Sequence, residues 1–379
     1  MQTTAPDRDE LRRLSEVRLE RPVVLSLYLD LDPAEFATPP ARSTAVRSLL
    51  DDAERKLREH AGLSNEDRAD LEASLGRART LLERELPSEG AHAVALFAAE
   101  PADLFETMRL PRSVRNRVAI GRSPLVGPLA RLHRSERWCV ALVSRRDARI
   151  LRGSPDGLRE VEEIHDVVFG QHDQGGLSQA RYQRGVEKEK DDHLKHTADA
   201  LMRHFKRRPF QRLIVGGPRE VTADFESKLH HYLSDRLAGR IDVDVSTASP
   251  QQILDAAAPC FEELEEEREA QALDRLGEPS RAVTGLDDTL RALNERRVET
   301  LLLEEGFSAE GAGCLKCGFL AAQGQDTCPL DGSALEPIED LADSAIELTL
   351  QQGADIQAMR HRREEFEERA GGLAALLRF

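Results

Sequence analysis

At 379 residues, 32% of them charged and 4% aromatic, the chain has the length for two or three domains, and its net charge of −16 argues against indiscriminate binding to nucleic acid. No run approaches the 18 apolar residues of a membrane span, and residues 1–10 lack the layout of a signal peptide, so a cytoplasmic chain is expected. Five cysteines, three of them clustered, suit a reducing compartment and a metal site better than a disulfide framework.

Changes in pattern divide the chain into three expected domains, 1–133, 134–276 and 277–379. In the first, 23–29 is rich in strand formers and ends at the acidic turn 30–33. A loop over 35–43 then precedes amphipathic helices at 44–57 and 65–85. Strands follow at 91–98 and 104–108, and the proline-marked stretch 123–129 reads as a hinge. In the second, strands at 138–144 and 148–152 make a hairpin, and a third strand covers 160–164. A long helix over 178–208 carries Val186, Leu194, Ala198, Leu201, Met202 and Phe205 on its apolar side. A buried strand at 212–218, a helix, a short strand at 241–245 and a helix to 276 complete a mixed α/β sheet. The third segment reads as a helix at 283–295, a strand at 298–303 and a cysteine-bearing insertion at 311–336. A helix at 340–352, a strand at 355–359 and an apolar terminal strand at 371–379 follow.

The most informative stretch is Gly175-Gly176-Leu177-Ser178-Gln179-Ala180-Arg181-Tyr182-Gln183-Arg184. Two glycines oppose helix formation, and Ser178 is a natural N-cap, so the stretch reads as an exposed loop feeding a helix. Between Ser178 and Arg212 there are ten Lys or Arg against five acids, a local balance of +5 in an acidic chain. A bare-backbone tip on a basic helix can enter a tight, anionic site.

That stretch resembles the catalytic loop of the archaeal and eukaryotic class I release factors, in which Gly-Gly-Gln precedes an Arg-rich helix. The runs 285–290 and 296–302, and the end at 371–379, are similar to the third domain of release factors and Pelota. The hairpin 138–152 resembles the entry to their central, RNase H-like domain. The resemblance covers about 134–379, and the first segment looks like bacterial members of the superfamily, including proteins likened to the Vms/ANKZF peptidyl-tRNA hydrolases. It implies an α/β fold in three domains: a central RNase H-like mixed sheet, and a C-terminal three-layer α/β domain with a zinc-ribbon-like insertion.

The activity so implied is hydrolysis of the peptidyl-tRNA ester in the peptidyl transferase centre, where a backbone N–H faces the developing oxyanion and an amide side chain orders water. Gly175, Gly176, Leu177 and Gln179 are the catalytic candidates. Leu177 stands where the family has its glutamine; it keeps the N–H and lacks the amide. Gln179 offers that amide two residues later, in keeping with the Vms/ANKZF branch. Arg181, Arg184, Lys188 and Lys195 would contact RNA phosphates. The implied partners are the ribosome, through its RNA and peptidyl-tRNA, and a translational GTPase, with the chain acting as a monomer. The chain lacks the Asn-Ile-Lys-Ser stop-codon motif, so codon-independent rescue or quality control is expected. Leu177 favours the alternative, a non-catalytic hibernation-type factor in the aminoacyl site. A third reading is RNA binding away from the ribosome.

Cys314-Leu-Lys-Cys317-Gly and Cys328-Pro-Leu-Asp331-Gly have knuckle spacing, in which a turn brings two ligands to one metal. Cys314, Cys317, Cys328 and Asp331 are therefore candidate ligands for a structural Zn²⁺, with Asp331 where a fourth cysteine would fall; the alternative gives Asp331 only a turn to shape. Cys139 and Cys260 read as small buried hydrophobes. His193, His196 and His204 read as solvent- or RNA-facing. No phosphate-binding loop with Lys-Ser or Lys-Thr and no Gly-x-Ser-x-Gly elbow occurs.

Overall fold

The architecture follows from which apolar runs are covered on both faces. A computed structural model describes residues 6, 8–60, 62–86, 90–132, 137–166, 179–278, 280–338 and 340–378, with the main chain alone over 179–184. By compactness it divides into 134–265 and a unit made of 1–133 together with 266–379.

The N-terminal part of that second unit contains α1 (Arg8–Glu16), β1 (Val24–Asp30), α2 (Pro39–Glu59), α3 (Asn65–Arg84), β2 (Ala93–Ala99), β3 (Leu104–Leu110), β4 (Arg117–Gly121) and α4 (Gly127–Leu132). Its antiparallel sheet runs β3-β2-β1-β4. Alternation sends Leu25, Leu27, Leu29, Val94 and Leu96 to one face, against Leu49, Leu50, Leu71 and Leu75 of α2 and α3. Helix α2 begins earlier than the sequence suggests. Pro39 and Pro40 fill its first turn, where no N–H is needed, and Thr38 Oγ1 accepts from Ala41 N. A capping box between Ser64 and Asp67 starts α3.

The compact unit 134–265 is built from β5 (Trp138–Val143), β6 (Asp147–Ser154), β7 (Gly157–His165), α5 (Gln179–Arg207), β8 (Arg212–Gly216), α6 (Arg219–Glu226), α7 (His231–Ser234) and β9 (Leu237–Ile241), with α8 (Pro250–Leu276) running on past its end. The strand order is β7-β6-β5-β8-β9, antiparallel from β7 to β5 and parallel from β5 to β9. In order of appearance this is 3-2-1-4-5, the RNase H-like arrangement expected. One face packs Cys139, Ala141, Leu213 and Val215 under Leu194, Ala198 and Leu201 of α5; the other packs Trp138, Val140 and Ile214 under Ile253, Ala257 and Phe261 of α8. The last strand lies at Leu237–Ile241 rather than 241–245. Gly239 reads as a strand breaker, yet a Cβ there would sit 2.4 Å from Cys260 Sγ, so the close approach of α8 requires glycine.

The C-terminal part holds β10 (Ala282–Thr284), α9 (Leu286–Asn294), β11 (Val298–Glu304), β12 (Gly311–Gly313), β13 (Leu320–Ala322), β14 (Glu336–Ile338), α10 (Leu341–Gln351), β15 (Asp355–Met359), α11 (Arg363–Ala370) and β16 (Leu373–Leu377). The helix expected from 283 begins only after β10, because Gly285, with φ +81°, turns the chain between them. The sheet β10-β16-β11-β15 is covered by α9 and α10 on one side, and by α11 with the end of α8 on the other, giving three layers. The first of these cores is shared with the N-terminal part: Leu11, Tyr28, Phe97 and Leu129 lie in one cluster with Leu290, Leu301, Leu341 and Ile346. Asp343 of α10, almost fully buried, receives Arg117 from β4 and lies 3.6 Å from Arg131 of α4.

Candidate functional site

Gly175, Gly176, Leu177 and Ser178 lie outside the described residues. Gln179 is the first residue of α5, and Arg181 and Arg184 lie in its first turns, their side chains outside the description. Lys188 is exposed. Lys195 is exposed and paired with Asp191 at 2.6 Å; Asp191 also takes Lys228 of the segment after α6 at 2.5 Å. Hydrogen bonds from these two lysines pull the Asp191 carboxyl down to about 2.

The two chain segments that flank 167–178 are tied together. Asp166, just after β7, places Oδ2 2.7 Å from Nδ1 of His193 and 3.2 Å from Nδ1 of His196, both on α5. Burial opposes the charged form of Asp166, but the two histidine hydrogen bonds outweigh it and lower its pKa. His193 corrects the sequence reading: it is buried, at 1% exposure, rather than solvent-facing. Its spacing from Leu194, Thr197 and Leu201 puts it on the buried stripe of α5, a signal present in the sequence. His204 is likewise engaged, its Nε2 2.7 Å from Glu162 Oε2, while His196 is exposed. On the neighbouring turn, Asp147 holds Nδ1 of His165 at 2.9 Å, and this bond raises the His165 pKa. Asp166 N donates to Arg146 O at 2.9 Å, joining the two clusters.

The cysteine insertion brings all four expected groups together. Ligand atoms of Cys314, Cys317, Cys328 and Asp331 lie within 4.8 Å of one another. The insertion contains the small sheet β13-β12-β14 and two turns with the same hydrogen bonding. In one, Gly318 N donates to Cys314 O and Cys314 N to Phe319 O; in the other, Gly332 N donates to Cys328 O and Cys328 N to Ser333 O. Gly318 and Gly332 both have positive φ, +78° and +71°, which glycine meets without strain. Asp331 thus stands in its turn where Cys317 stands in the other.

Its Oδ1 accepts from Ser333 N at 3.0 Å and from Ser333 Oγ, while Oδ2 lies 3.4 Å from Cys314 Sγ. Cys317 and Cys328 place their sulfurs 3.5 Å apart. A tetrahedral ion with metal–sulfur bonds of about 2.3 Å sets its sulfurs roughly 3.8 Å apart, so the donor set fits one such ion with little adjustment. Burial first, then hydrogen bonds to Cys314 and Cys328, push the Cys317 thiol up to about 12. Of the remaining cysteines, Cys139 is fully buried and Cys260 half-buried.

Parts of the chain are similar to known proteins. Residues 124–262 match the family model described as bacterial archaeo-eukaryotic release factor family 10. Peptide chain release factor subunit 1 of Thermoplasma acidophilum is 22% identical over 271 residues, covering 65% of this chain and 65% of that protein, so the match spans just under two thirds of the relative's length. Among solved structures, the crystal structure of the archaeal translation termination factor aRF1 is 19% identical, with 99% of each chain covered and a TM-score of 0.28. The model of ribosome-bound archaeal Pelota and ABCE1 is 17% identical, covers 76% of this chain and 77% of that one, and has a TM-score of 0.42. No helix among the described residues is long and apolar enough to cross a membrane. The matched region holds all five strands of the 3-2-1-4-5 sheet and the Gly-Gly-Leu-Ser-Gln motif, and over that region the chain is similar to the archaeo-eukaryotic release factors.

Proposed function

We propose that this chain is a cytoplasmic, ribosome-associated factor for codon-independent rescue or quality control, which hydrolyses the peptidyl-tRNA ester with its Gly175–Gln179 stretch. The observation that carries the reading is one of position. The Gly-Gly-Leu-Ser-Gln motif lies within the residues matched by the release-factor family model, and its Gln179 opens a 29-residue helix. In this mechanism glycine backbone approaches the ester, main-chain N–H stabilises the oxyanion, and the Gln179 amide orders the attacking water. Arg181, Arg184 and Lys188 hold RNA phosphates, and Lys195 joins them on release from Asp191. A ribosome-bound Pelota and a Dom34 described as interacting with Hbs1 are among the similar structures, in keeping with a ribosomal partner and a GTPase escort.

Zn²⁺ is assigned to Cys314, Cys317, Cys328 and Asp331 as a structural ion, since four protein groups leave it no open position.

Leu177 favours a second reading, a hibernation-type factor that occupies the aminoacyl site without chemistry. Stalled large subunits carrying peptidyl-tRNA separate the two. Under the first reading the wild-type chain releases peptide, while Gln179→Ala and Gly175→Ala lose most of that release. Release that survives both substitutions rejects the residue assignment, and binding without release selects the second reading.

A further inference from the structure

Positive charge is not spread evenly along α5. Residues 185–202 hold three Lys or Arg against five acids, whereas 203–212 hold five Lys or Arg and no acid. The basic excess at this end is separate from Arg181 and Arg184, roughly 40 Å along the helix at about 1.5 Å per residue.

Neighbouring elements add to it. Arg152, near the end of β6, donates to the carbonyls of His204 at 3.2 Å and of Arg208; Arg236, just before β9, donates to those of Phe210 at 3.1 Å and of Tyr232. Both guanidiniums also lie over rings, Arg236 4.7 Å from the centroid of Phe205 and Arg152 5.7 Å from that of Phe210. Carbonyl and ring seats fix a cation in place without cancelling its charge. Lys206 and Arg207 are exposed beside them. The nearby acid Glu162 is engaged by Arg203 and His204, and Glu226 by Arg240.

Against this patch stands an unusual surface. His230, His231 and Tyr232 are consecutive and exposed: His230 stacks on Tyr232 with centroids 5.1 Å apart, and His231 lies tilted against both, 4.2 Å from His230 and 4.1 Å from Tyr232. The chain has only one Trp, three Tyr and twelve Phe, and among the described residues Tyr232, at 52%, is the one strongly exposed member of that set. Arg236 donates to the carbonyl of Tyr232 itself, so ring stack and basic patch are contiguous.

We propose that this face of the 134–265 unit is a second RNA contact, in which Arg152, Lys206, Arg207 and Arg236 hold phosphates of a single strand while an unpaired base stacks on the His230–His231–Tyr232 rings. Single-stranded RNA is the partner that uses both features, since stacking rings beside a line of cations is how such strands are held. An acidic peptide would use the cations and leave the rings bare. The inference deepens the functional reading and takes from it only that RNA is the partner; it needs no hydrolysis.

The test is fluorescence anisotropy of a labelled decauridine with the full-length chain across a salt series. Lys206→Ala with Arg207→Ala is expected to weaken binding and to flatten the slope of log K against log salt by about 1.4, at roughly 0.7 per phosphate contact. Tyr232→Ala is expected to weaken binding five- to a hundred-fold or so, with the slope unchanged. Tyr232→Phe, which keeps the ring, restores it. Equal binding by all variants, or polyglutamate competing as well as RNA, overturns the proposal. With no ribosome in this assay, its failure is distinct from failure of peptide release, which the stalled-subunit experiment reads on its own.

Discussion

Oδ2 of Asp166 lies 2.7 Å from Nδ1 of His193, a side chain with no exposed surface, and through this contact the residue before the 167–178 segment is held to the helix after it. The pair pins the end of β7 against the middle of α5, fourteen residues past the start of that helix.

Asp166→Asn is expected to loosen this junction in a pH-dependent way. The carboxyl titrates below its ordinary value of 3.8 in the folded chain, so its contribution is present in full above that value and fades as pH falls through the lowered one. Hydrogen exchange over the end of β7 and the middle of α5 should show the variant less protected by about 1 kcal/mol at pH 6, a figure reduced for the part exposure of Asp166. The gap should close below about pH 4. A gap constant from pH 3 to 6 would mean that the carboxylate charge is not what holds the junction.

Metal binding tests the cysteine insertion. The purified chain should carry about one Zn²⁺, released by a chelator. Asp331→Cys, completing four thiolates, should tighten binding in competition with a colorimetric chelator, whereas Cys317→Ser should abolish it. Ser333→Ala frees Oδ1 of Asp331 and should cost about tenfold in affinity, the usual effect of removing a group that orients a ligand. If Asp331→Ala binds as tightly as wild type, Asp331 only shapes its turn.

Glu269 of α8 accepts three successive main-chain N–H groups at the start of α11, from Arg360 at 2.9 Å, His361 at 2.9 Å and Arg362 at 2.8 Å. These donors lie in the turn that leads into α11, with Arg362 at its N-cap, so the carboxylate both fixes that turn and stands at the positive end of the helix dipole. Glu269→Ala should lower the opening free energy of α11, read by hydrogen exchange, by about 2 kcal/mol, with Glu269→Gln recovering part of it. No change in α11 protection would show that water replaces the carboxylate at no cost.

Gly127 marks the closest approach in the shared core, since a Cβ there would sit 2.0 Å from Asp343 Oδ1. Asp343 cannot retreat easily, because Arg117 holds its other oxygen. Gly127→Ala should destabilise the chain by about 1–3 kcal/mol in urea unfolding, as overpacking does. Combined with Asp343→Ala, it should add much less than that, because the two residues occupy one space.

Much of the fold was legible in the sequence because its main strands are continuous apolar runs. Trp138–Val143, Arg212–Gly216 and Val298–Glu304 are almost wholly buried, and such runs announce themselves without any alternation. What escaped was either short or defined by something distant. Arg8–Glu16 and Arg363–Ala370 are mostly charged and helical because a few residues, Leu11, Leu14 and Phe366, reach a core built by other segments. Ala282–Thr284 is a strand only because Leu376 to Ala374 lie beside it. At the site, the grouping of Cys314, Cys317, Cys328 and Asp331 could be read from spacing alone, since a knuckle is local. The link from Asp166 to His193 could not, because it joins residues 27 positions apart across the segment of interest.

The uneven charge of α5 has an electrical consequence. At physiological ionic strength fields decay over about 8 Å, so two positive poles some 40 Å apart do not sense each other, and each meets its counterion independently. The net charge of −16 meanwhile disfavours the approach of a polyanion in general. Encounters are therefore oriented before contact, and added salt will weaken the orienting torque as well as the grip.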